Sequence, residues 1–124
     1  MTTDRPSRIT RVAQIAMIVN AVLHAIGTVG MGMGPHAPER AIFGRLVAGA
    51  VAAAVMFVFA AKRLARDPAI VALPLSFVLC NLAATLGDFA TSHDTRALGP
   101  LLPEATFLAI YSAFAVLRVR KQTA

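Results

Sequence analysis

The sequence predicts an all-α integral membrane protein, an up-down-up-down four-helix bundle that forms one domain. The first observation is composition: the 124 residues are 57% hydrophobic with a mean hydropathy of +0.69, more apolar than an ordinary soluble domain. The second is the order of the charges, because basic and acidic stretches alternate between the ends of four apolar segments. Such alternation is typical of chains whose basic residues stay on the cytoplasmic side of a membrane.

The basic residues mark three points along the chain. Nine of the twelve Lys and Arg residues form the clusters Arg5, Arg8, Arg11; Lys62, Arg63, Arg66; and Arg118, Arg120, Lys121. Four of the six acids fall in the opposite stretches, at Glu39, Asp88, Asp94 and Glu104. The positive-inside rule therefore predicts that both termini are cytoplasmic. Arg outnumbers Lys ten to two and alanine is abundant, which points to a GC-rich bacterial genome. The expected location is therefore the bacterial inner membrane. Clusters at segment ends also argue against a nucleic-acid partner.

The first apolar segment covers about residues 12–33 and the second about 41–61. The first follows a basic stretch, as a signal peptide does, but its apolar run is too long and no small-x-small cleavage site follows. We therefore expect a retained helix. Gly34 and Pro35 end it in a short external loop, and Lys62 ends the second segment.

The third segment covers about residues 69–90 and the fourth about 98–117. Pro74 is predicted to kink the cytoplasmic half of the third. The fourth reaches the roughly 20 residues that a bilayer requires when Pro100 and Pro103 both lie in its first turn. All three connections are short, so consecutive helices are expected to be antiparallel neighbours.

Small residues recur at helical spacing in the second segment, at Gly44, Ala48, Gly49, Ala52 and Ala53. Such spacing lets another helix approach closely. The sequence predicts packing within the bundle, with a dimer seam as the alternative. Because four short helices bury little surface alone, we also expect a homo-oligomer or a larger membrane complex.

Polar residues form stripes in the outer half of the bundle. Asn20, His24 and Thr28 share one face of the first helix; Asn81, Thr85 and Asp88 share one of the third; Glu104 and Tyr111 share one of the fourth. Hydrocarbon disfavours polar atoms, so the stripes should face each other in a pocket that opens outward and narrows toward Asn20 and Asn81. The candidate ligand-binding residues are His24, Arg45, Asn81, Asp88, Glu104, Tyr111, Asn20 and Thr85.

Three of these residues allow structural interpretations too. Burying the Arg45 side chain at its depth in the membrane costs about 1–3 kcal/mol unless it pairs or snorkels. Arg45 is therefore expected to form a structural ion pair with Asp88, or a ligand or proton site built on that pair. The third alternative is that it snorkels without a partner. Glu104 stabilises a helix N-terminus or binds ligand. His24 makes an interhelical hydrogen bond or exchanges protons.

Several chemistries lack the residues they need. The lone Cys80 excludes a Cys-x-x-Cys oxidoreductase. The histidines lack metal-ligand spacing, and no phosphate loop or nucleophile elbow is present. We therefore predict no metal and no cofactor, and we assign no catalytic residue.

The plan of the chain resembles that of a known family. The four-span layout, the charged residue in "FGRLVAGA" (Arg45) and the acid in "ATLGDFATSHD" (Asp88) carry the resemblance. Together they are similar to DoxX-like and related small four-helix bacterial membrane proteins, many of unassigned function. The resemblance covers most of the chain. It implies association with quinone or redox partners, and it transfers no catalytic residue.

Three functions fit these features. The first is a pocket that binds a small amphiphile or cation, with transport as a further step. The second is a structural subunit of a larger membrane complex. The third is a membrane-embedded enzyme on a lipophilic substrate, with His24, Asp88 or Glu104 as acid or base. The inner half is apolar apart from Gln14 and Ser76, which favours binding over transport.

Overall fold

The computed structural model describes residues 5–35 and 37–123, and this part consists of helices and their connecting turns. The helices are α1 (Arg8–Met33), α2 (Arg40–Arg63), α3 (Ala72–Ser92) and α4 (Leu101–Thr123). Two short 3-10 helices, Pro68–Val71 and Thr95–Leu98, precede α3 and α4. Four helical segments are long and apolar enough to cross a membrane. The prediction of an all-α chain with four apolar helices is thereby confirmed. His36, in the predicted external loop, lies outside the described residues.

Local side-chain chemistry sets the helix ends. The Ser7 hydroxyl accepts a hydrogen bond from the Thr10 backbone N–H at 3.4 Å and so caps α1. At the C-terminal end of α3, His93 adopts a left-handed conformation (φ 53°), and its N–H donates to the Phe89 carbonyl at 2.8 Å. This is the arrangement in which a helix commonly stops.

The prolines mark helix starts. Pro74 is the third residue of α3, so the predicted kink inside that span is replaced by a helix that begins after the 3-10 turn Pro68–Val71. A first-turn residue has no carbonyl four positions back within its own helix, so proline removes no bond there. Pro103 lies in the first turn of α4, and the Pro100 carbonyl, just before it, accepts from the Glu104 N–H at 3.0 Å.

The helices pack as two close pairs. α1 packs most extensively on α2, and α3 packs on α4; α1 also contacts α4, whereas α2 and α3 contact each other less. The Gln14 side-chain amide donates to the Ala61 carbonyl at 2.8 Å, which joins the beginning of α1 to the end of α2. We call the end of the bundle formed by residues 31–35, 37–40 and 92–101 the loop end.

Large side chains fill the middle of the bundle. Met17, Phe57, Tyr111 and Phe114, which we call the central core, are all 0% exposed. Phe77 of α3 meets Phe57 edge-on, with ring centroids 5.1 Å apart. Toward the loop end this filling stops, and no residue of α2 between positions 40 and 49 is buried.

The small residues of α2 do not all pack where the sequence predicted. Ala53 is buried, but Gly44, Ala48, Gly49 and Ala52 are exposed. The prediction of packing within the bundle is therefore wrong for these four. The buried face of α2 is the one that carries Phe57, whose large ring offers the bundle far more contact area than a glycine does.

Candidate ligand-binding cavity

A cavity of about 530 Å³ lies toward the loop end, within the usual size range of small-molecule sites. It is lined by α1, by α3, and by α4 with the proline before it; α2 lines none of it. The lining residues are Asn20, Leu23, His24, Gly27, Thr28 and Met31; Asn81, Ala84, Thr85 and Asp88; and Pro100, Pro103, Glu104 and Phe107.

Six of the eight residues proposed from the sequence line this one cavity: Asn20, His24, Asn81, Thr85, Asp88 and Glu104. The α1 and α3 residues come together because positions three, four or seven apart lie on one helix face. Their ability to bind a ligand stays a prediction. Tyr111 lies beneath the cavity, and the structure does not bring Arg45 to it.

Tyr111 and Asn20 form the floor. Tyr111 is fully buried, and its hydroxyl accepts a hydrogen bond from the Asn20 side-chain amide at 3.1 Å. The ring of Tyr111 stacks on Phe107, with centroids 6.2 Å apart and an interplanar angle of 19°. A bond between two buried polar groups satisfies both and closes the cavity toward the central core.

Three rings in contact extend the floor of the cavity from α1 across α3 to α2. His24 of α1 meets Phe77 of α3 edge-on at 5.3 Å, and Phe77 meets Phe57 of α2 at 5.1 Å. The His24 imidazole makes no hydrogen bond to a described residue, so the interhelical hydrogen bond considered from the sequence is replaced by a ring contact. The His24 backbone carbonyl accepts from the Thr28 hydroxyl at 2.9 Å.

Two carboxylates line the cavity in different settings. Both oxygens of Glu104 accept from the Thr85 hydroxyl, each at 3.1 Å, and the residue is half-buried in the first turn of α4. This position suits the helix-end role and the cavity role together. Asp88 is exposed, and its side chain bonds no described residue. Neither carboxylate is paired with a described cation.

Arg45 stands apart from this group. It is exposed on α2, and no hydrogen bond or ion pair joins it to Asp88 or to any other described residue. The Arg45–Asp88 pair is therefore not formed. Similar depth in two helices does not determine whether two side chains face each other, because the rotation of α2 is set by the packing of Phe57.

An ion pair does form in the turn after α3. The Arg96 guanidinium lies 3.2 Å from the Asp94 carboxylate, and the Arg96 backbone N–H donates to Asp94 Oδ1 at 2.9 Å. The backbone bond first and the guanidinium second hold the pKa of Asp94 below its usual 3.8. Both side chains are well exposed, so the pair adds little to stability.

The sequence interpretation missed the apolar lining: Leu23, Gly27, Met31, Ala84 and Phe107. A signal was present, because Leu23, Gly27 and Met31 each lie three or four positions from a member of the polar stripe on α1. Among residues 5–35 and 37–123, no three His, Cys, Asp or Glu side chains converge as metal ligands would.

Comparisons with protein-family models, with curated proteins and with solved structures find no match to this chain. The resemblance to DoxX-like proteins stays a prediction. Function is therefore argued from the cavity itself.

Proposed function

We propose that this chain is a multi-pass protein of the bacterial inner membrane whose cavity binds a small amphiphilic cation from the external side. In this proposal the four helices cross the bilayer in alternating directions and both termini are cytoplasmic. The four apolar helices support it. So do the basic clusters at the start of α1 and the ends of α2 and α4, which the positive-inside rule assigns to the cytoplasm.

One observation carries the choice of a cation. Asp88 and Glu104 both line the cavity, and no Lys or Arg lines it. Neither carboxylate has a described cation beside it, and a bound cation supplies that attraction. An anionic ligand would add repulsion instead.

The rest of the lining supports an amphiphile. Leu23, Met31, Ala84 and Phe107 offer apolar surface, and the face of an aromatic ring attracts organic cations. A ligand with both a positive charge and an apolar body uses both halves of the lining. A strongly hydrated ion would contact only the polar half of the lining.

Binding is better supported than transport. The Asn20–Tyr111 hydrogen bond and the fully buried central core lie beneath the cavity. Transport requires these groups to separate. The enzyme hypothesis has less support, because no described hydrogen bond joins His24 to Asp88 or Glu104 as an acid–base pair needs.

Assembly with another membrane helix is the second candidate. The exposed residues Gly44, Ala48 and Ala52 share one face of α2, and small residues let helices approach closely. A native mass spectrum from mild detergent tests it. A dimer or a stoichiometric partner supports assembly, and a lone monomer contradicts it.

Thermal unfolding in lipid nanodiscs tests cation binding. Benzyltrimethylammonium should stabilise the protein, whereas benzenesulfonate should not. Asp88→Asn should weaken the cation about tenfold, roughly 1.4 kcal/mol. Its side chain bonds no described residue, so the fold should tolerate the change. Asp94→Asn is the matched control, because it removes the same charge near the loop end but does not line the cavity.

Two results would contradict the proposal: no response to the cation in the unmodified protein, or equal weakening by Asp88→Asn and Asp94→Asn. Arg45→Ala should leave the apparent affinity within about twofold, because Arg45 does not line the cavity.

A further inference from the structure

Seven residues of the cavity lining are exposed: four lie near the loop end, Met31, Asp88, Pro100 and Pro103, and three lie farther from it, Leu23, Gly27 and Ala84. Leu23 is 48% exposed, and Gly27 and Ala84 are exposed as well. Exposed lining residues mark where the cavity is open, and the second group lies below the loop end, on the side of the bundle. We call Leu23, Gly27 and Ala84 the side opening. All three are apolar.

The polar lining behaves differently. Asn20, Thr28 and Thr85 are all at most 8% exposed. His24, Asn81 and Glu104 are half-buried, and Asp88, near the loop end, is exposed. The border of the side opening itself, formed by Leu23, Gly27 and Ala84, is apolar. Hydrocarbon tolerates an apolar border well, since no polar atom of these side chains has to face lipid.

The packing of α2 explains why an opening exists. This helix contributes nothing to the lining and has no buried residue from position 40 to position 49. Its ring contact with α3, Phe57 against Phe77, lies beneath the cavity. Above that contact, α2 does not cover α3, and Ala84 is left exposed.

The depth of the opening places it among acyl chains. Leu23 lies ten residues before the end of α1, which is about 15 Å at the α-helical rise, and Ala84 lies eight before the end of α3, about 12 Å. Both depths fall inside a hydrocarbon layer of about 30 Å. Asp88 is four residues before the end of α3, about 6 Å, near the head groups.

We propose that the cavity takes its ligand sideways from the outer leaflet of the bilayer, and that the ligand is a lipid-soluble cation with a hydrocarbon chain. This inference rests on the proposed function. The positive head lies against Asp88 and Glu104. The chain passes the side opening into the surrounding lipid, so the chain need not fit within the 530 Å³ of the cavity.

The test fills the side opening. A β-carbon on Gly27 has open space around it, so Gly27→Leu adds an isobutyl group at the side opening. Gly49→Leu is the matched control, because Gly49 also has open space and lies on α2 outside the cavity. The probes are tetramethylammonium and decyltrimethylammonium, measured by thermal unfolding in nanodiscs at equal total concentrations.

Gly27→Leu should weaken decyltrimethylammonium at least tenfold and leave tetramethylammonium within twofold. Gly49→Leu should leave the apparent affinities for both probes unchanged. Comparison with this control also accounts for any effect of probe dissolved in the lipid. If Gly27→Leu does not fold, Ala84→Leu fills the opposite side of the opening and should give the same result.

The outcomes separate the two proposals. If neither probe binds the unmodified protein, the cation site itself is wrong. If tetramethylammonium binds but decyltrimethylammonium does not, or if filling the opening affects the two probes equally, the cation site stands and entry from the bilayer is wrong.

Discussion

At the scale of single residues, the most consequential contact is the hydrogen bond between Asn20 and Tyr111. It joins the polar stripe of α1 to α4, and both side chains are buried. The tyrosine ring packs with Phe107 while its hydroxyl holds the amide of Asn20. One residue thus belongs to the central core and to the cavity floor.

Tyr111→Phe should lower the free energy of unfolding in detergent by about 0.5–1.5 kcal/mol, because it leaves the buried Asn20 amide without this acceptor. Ser112→Ala, the next residue, is the control, since its half-buried hydroxyl makes no hydrogen bond to a described residue. A double-mutant cycle with Asn20→Ala measures the coupling. Strict additivity would contradict a direct bond.

Asp94 gives a prediction for pH. Its pKa is lowered mainly by the Arg96 backbone N–H and then by the guanidinium. In Arg96→Gln the pKa should rise but stay below 3.8, since the backbone bond remains. Because the folded pKa is depressed, the associated stability is present above the unfolded pKa and is lost as the pH falls through the folded value. An NMR titration of the Asp94 carboxyl carbon checks this; a return to the ordinary value would contradict it.

At the scale of helices, the pairing of α1 with α2 includes one close approach near the loop end. The ring of Phe43 occupies the place where Gly32 would carry a β-carbon. Gly30, two positions earlier, has open space around the same point. A side chain at position 32 therefore requires the Phe43 ring to move, whereas a side chain at position 30 has no such requirement.

Gly32→Ala should displace the Phe43 ring and destabilise the protein by about 1 kcal/mol or more relative to Gly30→Ala. Both changes gain the same helix propensity, so their difference isolates the packing cost. Unfolding in detergent measures it. Phe43→Leu should reduce the difference, and equal stability of the two alanine variants would refute the close approach.

Much of the helix pattern was predictable because hydropathy and charge order are local properties of the sequence. The stripes of α1 and α3 were predictable for the same reason: spacing alone puts Asn20, His24 and Thr28 on one face. The rotation of α2 was not, because alanine and glycine suit either a helix interface or lipid. Arg45 and the small-residue face were therefore misplaced, and the apolar half of the lining was missed.

At the scale of the whole molecule, the proposed topology makes opposite ends accessible from opposite sides of the membrane. In a Cys80→Ser background, Glu39→Cys should react with an impermeant maleimide added to intact cells. Arg66→Cys should react only after the cells are permeabilised. Both positions are exposed, so accessibility to the reagent decides the result. The reverse pattern would overturn the orientation, and labelling of both would indicate mixed orientations.

The central core has an electrical consequence. Met17, Phe57, Tyr111 and Phe114 leave no exposed surface among them, so these described residues close the central core between the cavity and the opposite end of the bundle. An ion crossing there would have to shed its hydration in hydrocarbon-like surroundings. A planar bilayer that contains the protein should therefore show no unitary currents at ordinary recording voltages, even while the cavity is occupied.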